Sequence, residues 1–130
     1  MTFDAIGIAG SGLTAHRTWL DALSDNIANI NTAASTDDAA FQQRYVAVQS
    51  DDAAGGVRVA GAQFGDPEGR LVYEPTHPLA DAEGYVRYPD IDLGEQMGHL
   101  IMAQRGYQAN AAVVDRAKTA YEAALQIGRN

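Results

Sequence analysis

Three histidines, one serine between glycines and a set of carboxylates are the residues of this chain that could carry chemistry. His16, His77 and His99 are scattered. None has a second histidine at i,i+4, and no HExxH is present, so no metal site is expected. Ser11 stands in Gly10-Ser11-Gly12. That is not the GxSxG turn that exposes a nucleophile, and no strand-like run precedes it. Gly7, Gly10 and Gly12 do not match the dinucleotide fingerprint, and no P-loop sequence exists. The carboxylates lack a histidine or basic partner spaced to tune an acid and a base apart. The chain therefore reads as a non-enzyme, with no catalytic residue and no cofactor. It has no cysteine, which removes thiol chemistry, disulfides and thiolate metal sites.

Two polar groups have bland readings of their own. His77 lies in Glu74-Pro75-Thr76-His77-Pro78, beside Asp81 and Glu83. This reads as a rigid, proline-bounded strap whose polar side chains bond to the backbone. Asn26, Asn29 and Asn31 cluster at the end of a helical pattern. They read as helix termination, because asparagine caps turns and tolerates αL. They also read as interface amides, with Asn26 and Asn29 bonding across a helix contact to fix register. The two readings are compatible.

The elements that position these residues follow from periodicity. Residues 3–30 read as a helix. Ile6, Ala9, Leu13, His16, Leu20, Leu23, Ile27 and Ile30 recur at spacings of three and four, the period of a coiled coil. His16 interrupts that seam as a polar interface group or a solvent-facing one. A second stripe beside it, Ala5, Ile8, Gly12, Ala15, Trp19, Ala22, Asn26 and Asn29, is mostly small. The glycines each lower helix stability by roughly 1 kcal/mol relative to alanine, so this arm is expected to order on assembly.

Residues 32–90 change character. Residues 32–40 read as a loop. Short strand-like runs follow at Arg44–Gln49, Val57–Gln63, Leu71–Tyr73 and Tyr85–Tyr88. Gly55-Gly56 and Asp66-Pro67-Glu68-Gly69 read as turns. Residues 91–128 read as one long helix without proline. Leu93, Met97, Leu100, Gln104, Tyr107, Ala111, Val114, Lys118, Tyr121 and Leu125 form its heptad stripe. Val113, Ala117, Ala120, Ala124 and Ile127 form a second. Asp92 and Glu95 near its start suit the helix dipole, and Gly128 is a C-terminal stop.

The fold class is thus mainly α with a small β element. The N- and C-terminal helices (1–31 and 91–130) are expected to pair antiparallel, coiled-coil-like, with a short β-rich insertion (32–90) between them. Leu13, Leu20, Leu23 and Ile27 are expected to meet Leu100, Tyr107, Val114, Tyr121 and Leu125. The stripe left over, with Ala15 and Ala22, is expected to face neighbouring subunits. A bulky charged residue at either alanine should then abolish motility while leaving monomer production intact.

Charge agrees with association through the ends. The net charge is −8. Residues 32–90 hold four bases and ten acids, whereas residues 91–130 hold four of each. So acidic a chain is no nucleic-acid binder. No run approaches a membrane span, and the apolar N-terminus lacks the basic start of a secretory signal.

Two sets of residues resemble a known family. Ser11-Gly12-Leu13-x-Ala15-x-Arg17 followed by Asn26-Ile27-Ala28-Asn29-x-Asn31-Thr32 resembles the N-terminal signature of flagellar rod and hook proteins, the axial family. The strap from Leu71 to Pro89, with Glu95-x-Met97 and Arg105-x-Tyr107-Gln108-Ala109-Asn110, resembles the proximal rod members of that family. Residues 33–66 depart from the pattern: Phe41-Gln42-Gln43-Arg44 stands where an aromatic-Arg-Arg run is usual. Gly94, Gly98 and Gly106 replace bulkier residues, so a looser first half of the second helix is expected.

The resemblance implies a structural subunit of the flagellar basal-body rod. Such a subunit polymerises with itself and other rod subunits into a hollow, helical drive shaft. It implies contact with the basal-body membrane ring and its adaptor. It also implies passage through the flagellar export apparatus without a cleaved signal. The assembly residues expected from the stripes and the signature together are Ser11, Gly12, Leu13, Ala15, Leu20, Leu23, Asn26, Ile27, Asn29, Met97, Leu100, Tyr107, Asn110, Val114, Tyr121 and Leu125. The rival reading is a helical adaptor or chaperone of an export apparatus that does not polymerise. It would need only one apolar stripe per helix.

Overall fold

The computed structural model describes residues 2–129. Met1 and Asn130, the outermost residues of the two expected arms, lie outside the described residues. The order is α1 (Thr2–Ala28), β1 (Arg44–Ser50), β2 (Val57–Phe64), β3 (Arg70–Tyr73), β4 (Tyr85–Tyr88) and α2 (Leu93–Gly128). The chain is mainly helical, with a small β region between its two long helices.

Local chemistry sets the boundaries. α1 stops at Ala28, two residues before the expected end. There Asn29 folds back, donating from Nδ2 to the Asp25 carbonyl at 2.8 Å. Its Oδ1 accepts from the Thr32 hydroxyl at 3.1 Å. α2 starts at Leu93 because Asp92 is its N-cap: the Asp92 carboxylate accepts from the Glu95 amide at 2.7 Å. The helix runs to Gly128, the expected stop.

The strands form two separate two-stranded sheets, β1–β2 and β3–β4. In the first, Asp51 N–H bonds to Gly56 O at the turn and Gly65 N–H bonds to Gln43 O beyond the other end. That is the order of an antiparallel hairpin. In the second, antiparallel pairs run from Arg70↔Tyr88 to Tyr73↔Tyr85. The turn before β3 places Gly69 at φ 58°, where a Cβ would also run into the Tyr88 carbonyl. Residues 32–40 do more than loop. Ala34 makes a two-way backbone bridge to Arg87, at 2.8 and 3.0 Å.

Two compact units divide the chain. The first holds residues 2–20, 46–61 and 101–129; the second holds 21–45 and 62–100. In the first, Gly12 meets Asn110 and His16 meets Gly106. As α1 advances α2 retreats, so the helices are antiparallel, as expected.

The buried faces differ from the heptad arithmetic. On α1 the buried residues come from both stripes: Gly12 and Ala15 of the small stripe with Ala9 of the seam in the first unit, Ala22 and Asn26 of the small stripe with Leu23 of the seam in the second. Ala15 is 6% exposed and Ala22 9%. They are covered by this chain's own elements and are not a free face. Leu13, Leu20 and Ile27 are only half-buried. On α2 the inward residues are Gln96, Ala103, Gly106 and Asn110, beside the expected stripe. Met97 and Leu125 of that stripe are 45% and 52% exposed. In the first unit the cause is close approach: a Cβ on Gly12 would meet Asn110 and one on Gly106 the His16 ring.

Candidate functional site

In the first unit, Gly10-Ser11-Gly12 is a joint. The Ser11 hydroxyl donates to the Ile8 carbonyl at 2.6 Å, within the helix. The same oxygen accepts from the Val57 amide at 3.1 Å and so ties α1 to the start of β2. Gly12, one residue on, faces α2. A Cβ there would stand 2.7 Å from Asn110 Oδ1. Asn110 is itself held, donating from Nδ2 to the Gly106 carbonyl at 2.9 Å. His16 closes the joint. Its Nδ1 bonds to the Gly12 carbonyl at 2.8 Å; the carbonyl can only accept, so Nδ1 carries the proton. The ring lies against Gly106, where a Cβ would collide with it. Gly106 is therefore a place of close approach rather than a source of looseness. His16 is the polar interface group of the two readings. Beside this joint an open apolar recess of about 350 Å³ is lined by Ala15, His16, Trp19, Val46, Val48 and Val57.

In the second unit Asn26 is the centre. It is fully buried. Its Oδ1 accepts from the Arg44 amide at 2.8 Å. Its Nδ2 donates to the Arg44 carbonyl and to Gln96 Oε1, each at 3.0 Å. The side-chain amide thus pairs with one residue of β1 as a neighbouring strand would, and reaches α2 as well. The two readings of the asparagines divide between residues: Asn26 bonds across a helix contact, and Asn29 terminates the helix. Arg44 adds an ion pair to Asp25 on the surface, a small contribution.

The strap behaves as expected of a backbone-bonding segment. His77 Nδ1 accepts from the Leu79 amide at 3.0 Å. Asp81 Oδ1 accepts from the Glu83 and Tyr85 amides at 3.0 and 2.8 Å. The Tyr85 bond, helped by Thr36 and by neighbouring amides and opposed by partial burial, holds the Asp81 carboxyl below its ordinary range. The Tyr88 hydroxyl donates to Glu74 at 2.8 Å, which raises the phenol above its ordinary value. Arg87 clamps the whole. Its guanidinium donates to the carbonyls of Thr36, at 2.9 Å, and Glu68.

Of the marked assembly residues, Ser11, Gly12, Ala15, Leu23, Asn26 and Asn110 lie in these joints or the buried core. Leu13, Leu20, Ile27, Asn29, Leu100, Val114 and Tyr121 are half-buried. Met97, Tyr107 and Leu125 are exposed. Sequence reasoning missed Gln96, Ala103 and Gly106. Their signal was present: with Asn110 they form a small and polar stripe at spacings of seven, three and four. It parallels the small stripe on α1. Arg87 had no local signature.

Long paired terminal helices around a small strapped insertion have counterparts among known proteins. The family described as flagella basal body rod protein matches residues 6–33. The C-terminal family of flagellar basal body rod FlgEFG proteins matches residues 82–127. Together the two place the chain in the flagellar rod class. Whole-chain relatives narrow this. The flagellar basal-body rod protein FlgC of Salmonella typhimurium is 36% identical over 126 residues, 94% of each chain. Those of Borreliella burgdorferi and Bacillus subtilis are 32% and 31% identical, over 96% and 98% of each chain. The chain belongs to the FlgC family of flagellar basal-body rod proteins, structural subunits of that rod.

Proposed function

We propose that this chain polymerises with itself and other rod subunits into the hollow shaft that carries motor torque. The observation that supports this most is the surface of α2. Leu93, Met97 and Ile101, each about half exposed, follow one another at i+4 and make one apolar ridge. Met102, Val113 and Ile127 are exposed on another side, spaced by eleven and fourteen residues, about three and four turns. Two apolar ridges on one helix suit a subunit held by several neighbours, whereas an adaptor needs one. Torque transmission requires many packed contacts that resist shear, and no bond chemistry.

The other expectations rest on the family. The proposed partners beyond the rod are the basal-body membrane ring with its adaptor, and the export apparatus. The proposed place is the periplasmic side of the envelope, reached without a cleaved signal peptide. No helix among the described residues is long and apolar enough to cross a membrane. A density map of intact basal bodies tests the reading. Both helices of this chain should be traceable within the rod, with the α2 ridges against other subunits. A rod in which this chain is absent would overturn it.

A further inference from the structure

The charge of the chain is divided unequally between its two units. The unit holding residues 21–45 and 62–100 has three bases and twelve acids, a net of −9. The unit holding residues 2–20, 46–61 and 101–129 has six bases and five acids, a net of +1. The whole excess of acid therefore sits in one unit. Each unit also carries an exposed apolar face. In β3–β4, Leu71 stands opposite Arg87 and Tyr73 opposite Tyr85, so these four share one side of the sheet. Leu71, Tyr73 and Tyr85 are exposed, whereas Val86, on the other side, is buried. The two tyrosine rings meet edge to face at 5.4 Å. Arg87 is engaged by the carbonyls of Thr36 and Glu68. The face is an aromatic platform on the acidic unit. In the other unit, Met102, Arg105, Ala109, Val113 and Arg116 follow one another along α2 at spacings of three, four, four and three, and all are exposed. Asp115 and Glu122, the acids of this half of α2, lie off that row. The row is apolar, with two guanidiniums and no carboxylate.

We propose that the β3–β4 face of one copy seats on this row of α2 in a second copy. An acidic unit then meets the arginine-bearing row of a unit that lacks the acid excess, the complementarity that steers encounter and fixes register. The guanidiniums of Arg105 and Arg116 are the groups that pack on exposed tyrosine rings. Two acidic units set against each other, at −9 apiece, would repel. Each copy offers both surfaces, so the contact is heterologous: one surface of each kind stays free, and the contact can repeat. The inference rests on the rod reading above and names the surfaces through which copies follow one another.

The chain has no cysteine, so an engineered pair reports the contact without background. Full-length Leu71→Cys protein is mixed with full-length Ala109→Cys protein, one of them carrying a size tag, and oxidised. A disulfide needs the two Cα atoms within about 7 Å. The mixed dimer should exceed, by about fivefold or more, that formed by Leu71→Cys with Gln104→Cys, which is exposed on a different side of α2. Adding Arg105→Glu and Arg116→Glu to the Ala109→Cys chain should cut the product roughly tenfold. Raising the salt to about 1 M should lower it too, and that arm decides if the reversed chain fails to fold. Equal yields at 109 and 104 overturn the contact, and that is the result expected if a different rod subunit covers the row. A yield at 109 that ignores both charge reversal and salt overturns the electrostatic pairing. These yields are read on purified protein. If the chain proves absent from basal bodies, the rod reading fails and the yields still decide the contact; if it is present there and the yields are equal, the contact alone fails.

Discussion

Asn110 lies directly over Gly12: a Cβ on the glycine would stand 2.7 to 2.9 Å from all three atoms of the amide group. The two terminal helices meet there backbone to side chain, with no room for a methyl group. Gly12→Ala should therefore displace Asn110 and break its bond to the Gly106 carbonyl. Overpacking of this kind costs about 1–3 kcal/mol, partly offset by the roughly 1 kcal/mol that alanine adds to helix stability. A net loss of about 1 kcal/mol in urea unfolding is expected. Adding Asn110→Ala should recover most of it. A Gly12→Ala chain as stable as its parent would show that the contact is not tight.

Asn26 should be the costliest polar side chain to remove. Its amide makes three hydrogen bonds, to both backbone groups of Arg44 and to Gln96. Asn26→Ala should cost about 2–4 kcal/mol. Amide exchange at Arg44 should accelerate in step with that loss. A cost under about 0.5 kcal/mol would mean that water replaces the amide without penalty.

The strap should titrate at both ends of the pH scale. Asp81 has its pKa lowered from 3.8, chiefly by the Tyr85 amide. A depressed carboxyl contributes stability above its unfolded value, and that contribution is lost as pH falls through the lower folded value. Tyr88 is raised from 10.0 by its bond to Glu74. Its contribution is complete below 10.0 and is lost as pH rises through the higher folded value. Asp81→Asn should flatten the acid limb of the stability profile and Tyr88→Phe the alkaline limb. Unchanged limbs in both variants would detach these bonds from folding.

Ala15 tests which face of α1 is committed to the chain. Ala15 is 6% exposed and borders the apolar recess, whose valines and Trp19 offer a charge no partner. Ala15→Arg should destabilise the isolated protein by about 1–3 kcal/mol, through the charge brought against that apolar lining. A stable Ala15→Arg monomer that only fails to assemble would restore the view that this stripe serves neighbours.

How far the sequence could be read depends on the range of each interaction. Turn chemistry is local, so Asp66-Pro67-Glu68-Gly69 and Gly55-Gly56 placed the strands to within a residue or so. Capping is local too, and each helix differs from its pattern by two residues at one end. Faces were less legible. Heptad reasoning weights large apolar residues, whereas α1 buries Ala9, Gly12 and Ala15 and leaves Leu13 half-covered. The partners of Asn26 lie 18 and 70 residues away, and Arg87 grips Thr36 from 51 residues away. No spacing rule along the chain announces such bonds.

The exposed ridge of α2 is proposed to serve assembly and not the fold of the subunit. The double variant Met97→Glu, Ile101→Glu tests it most directly, with unfolding measured on purified protein and rods counted in cells that carry only the variant. Met97 is 45% exposed and Ile101 48%. Stability within about 0.5 kcal/mol of the parent per site is expected, together with the loss of rods and of swimming. Normal rods built from the doubly charged chain would contradict it.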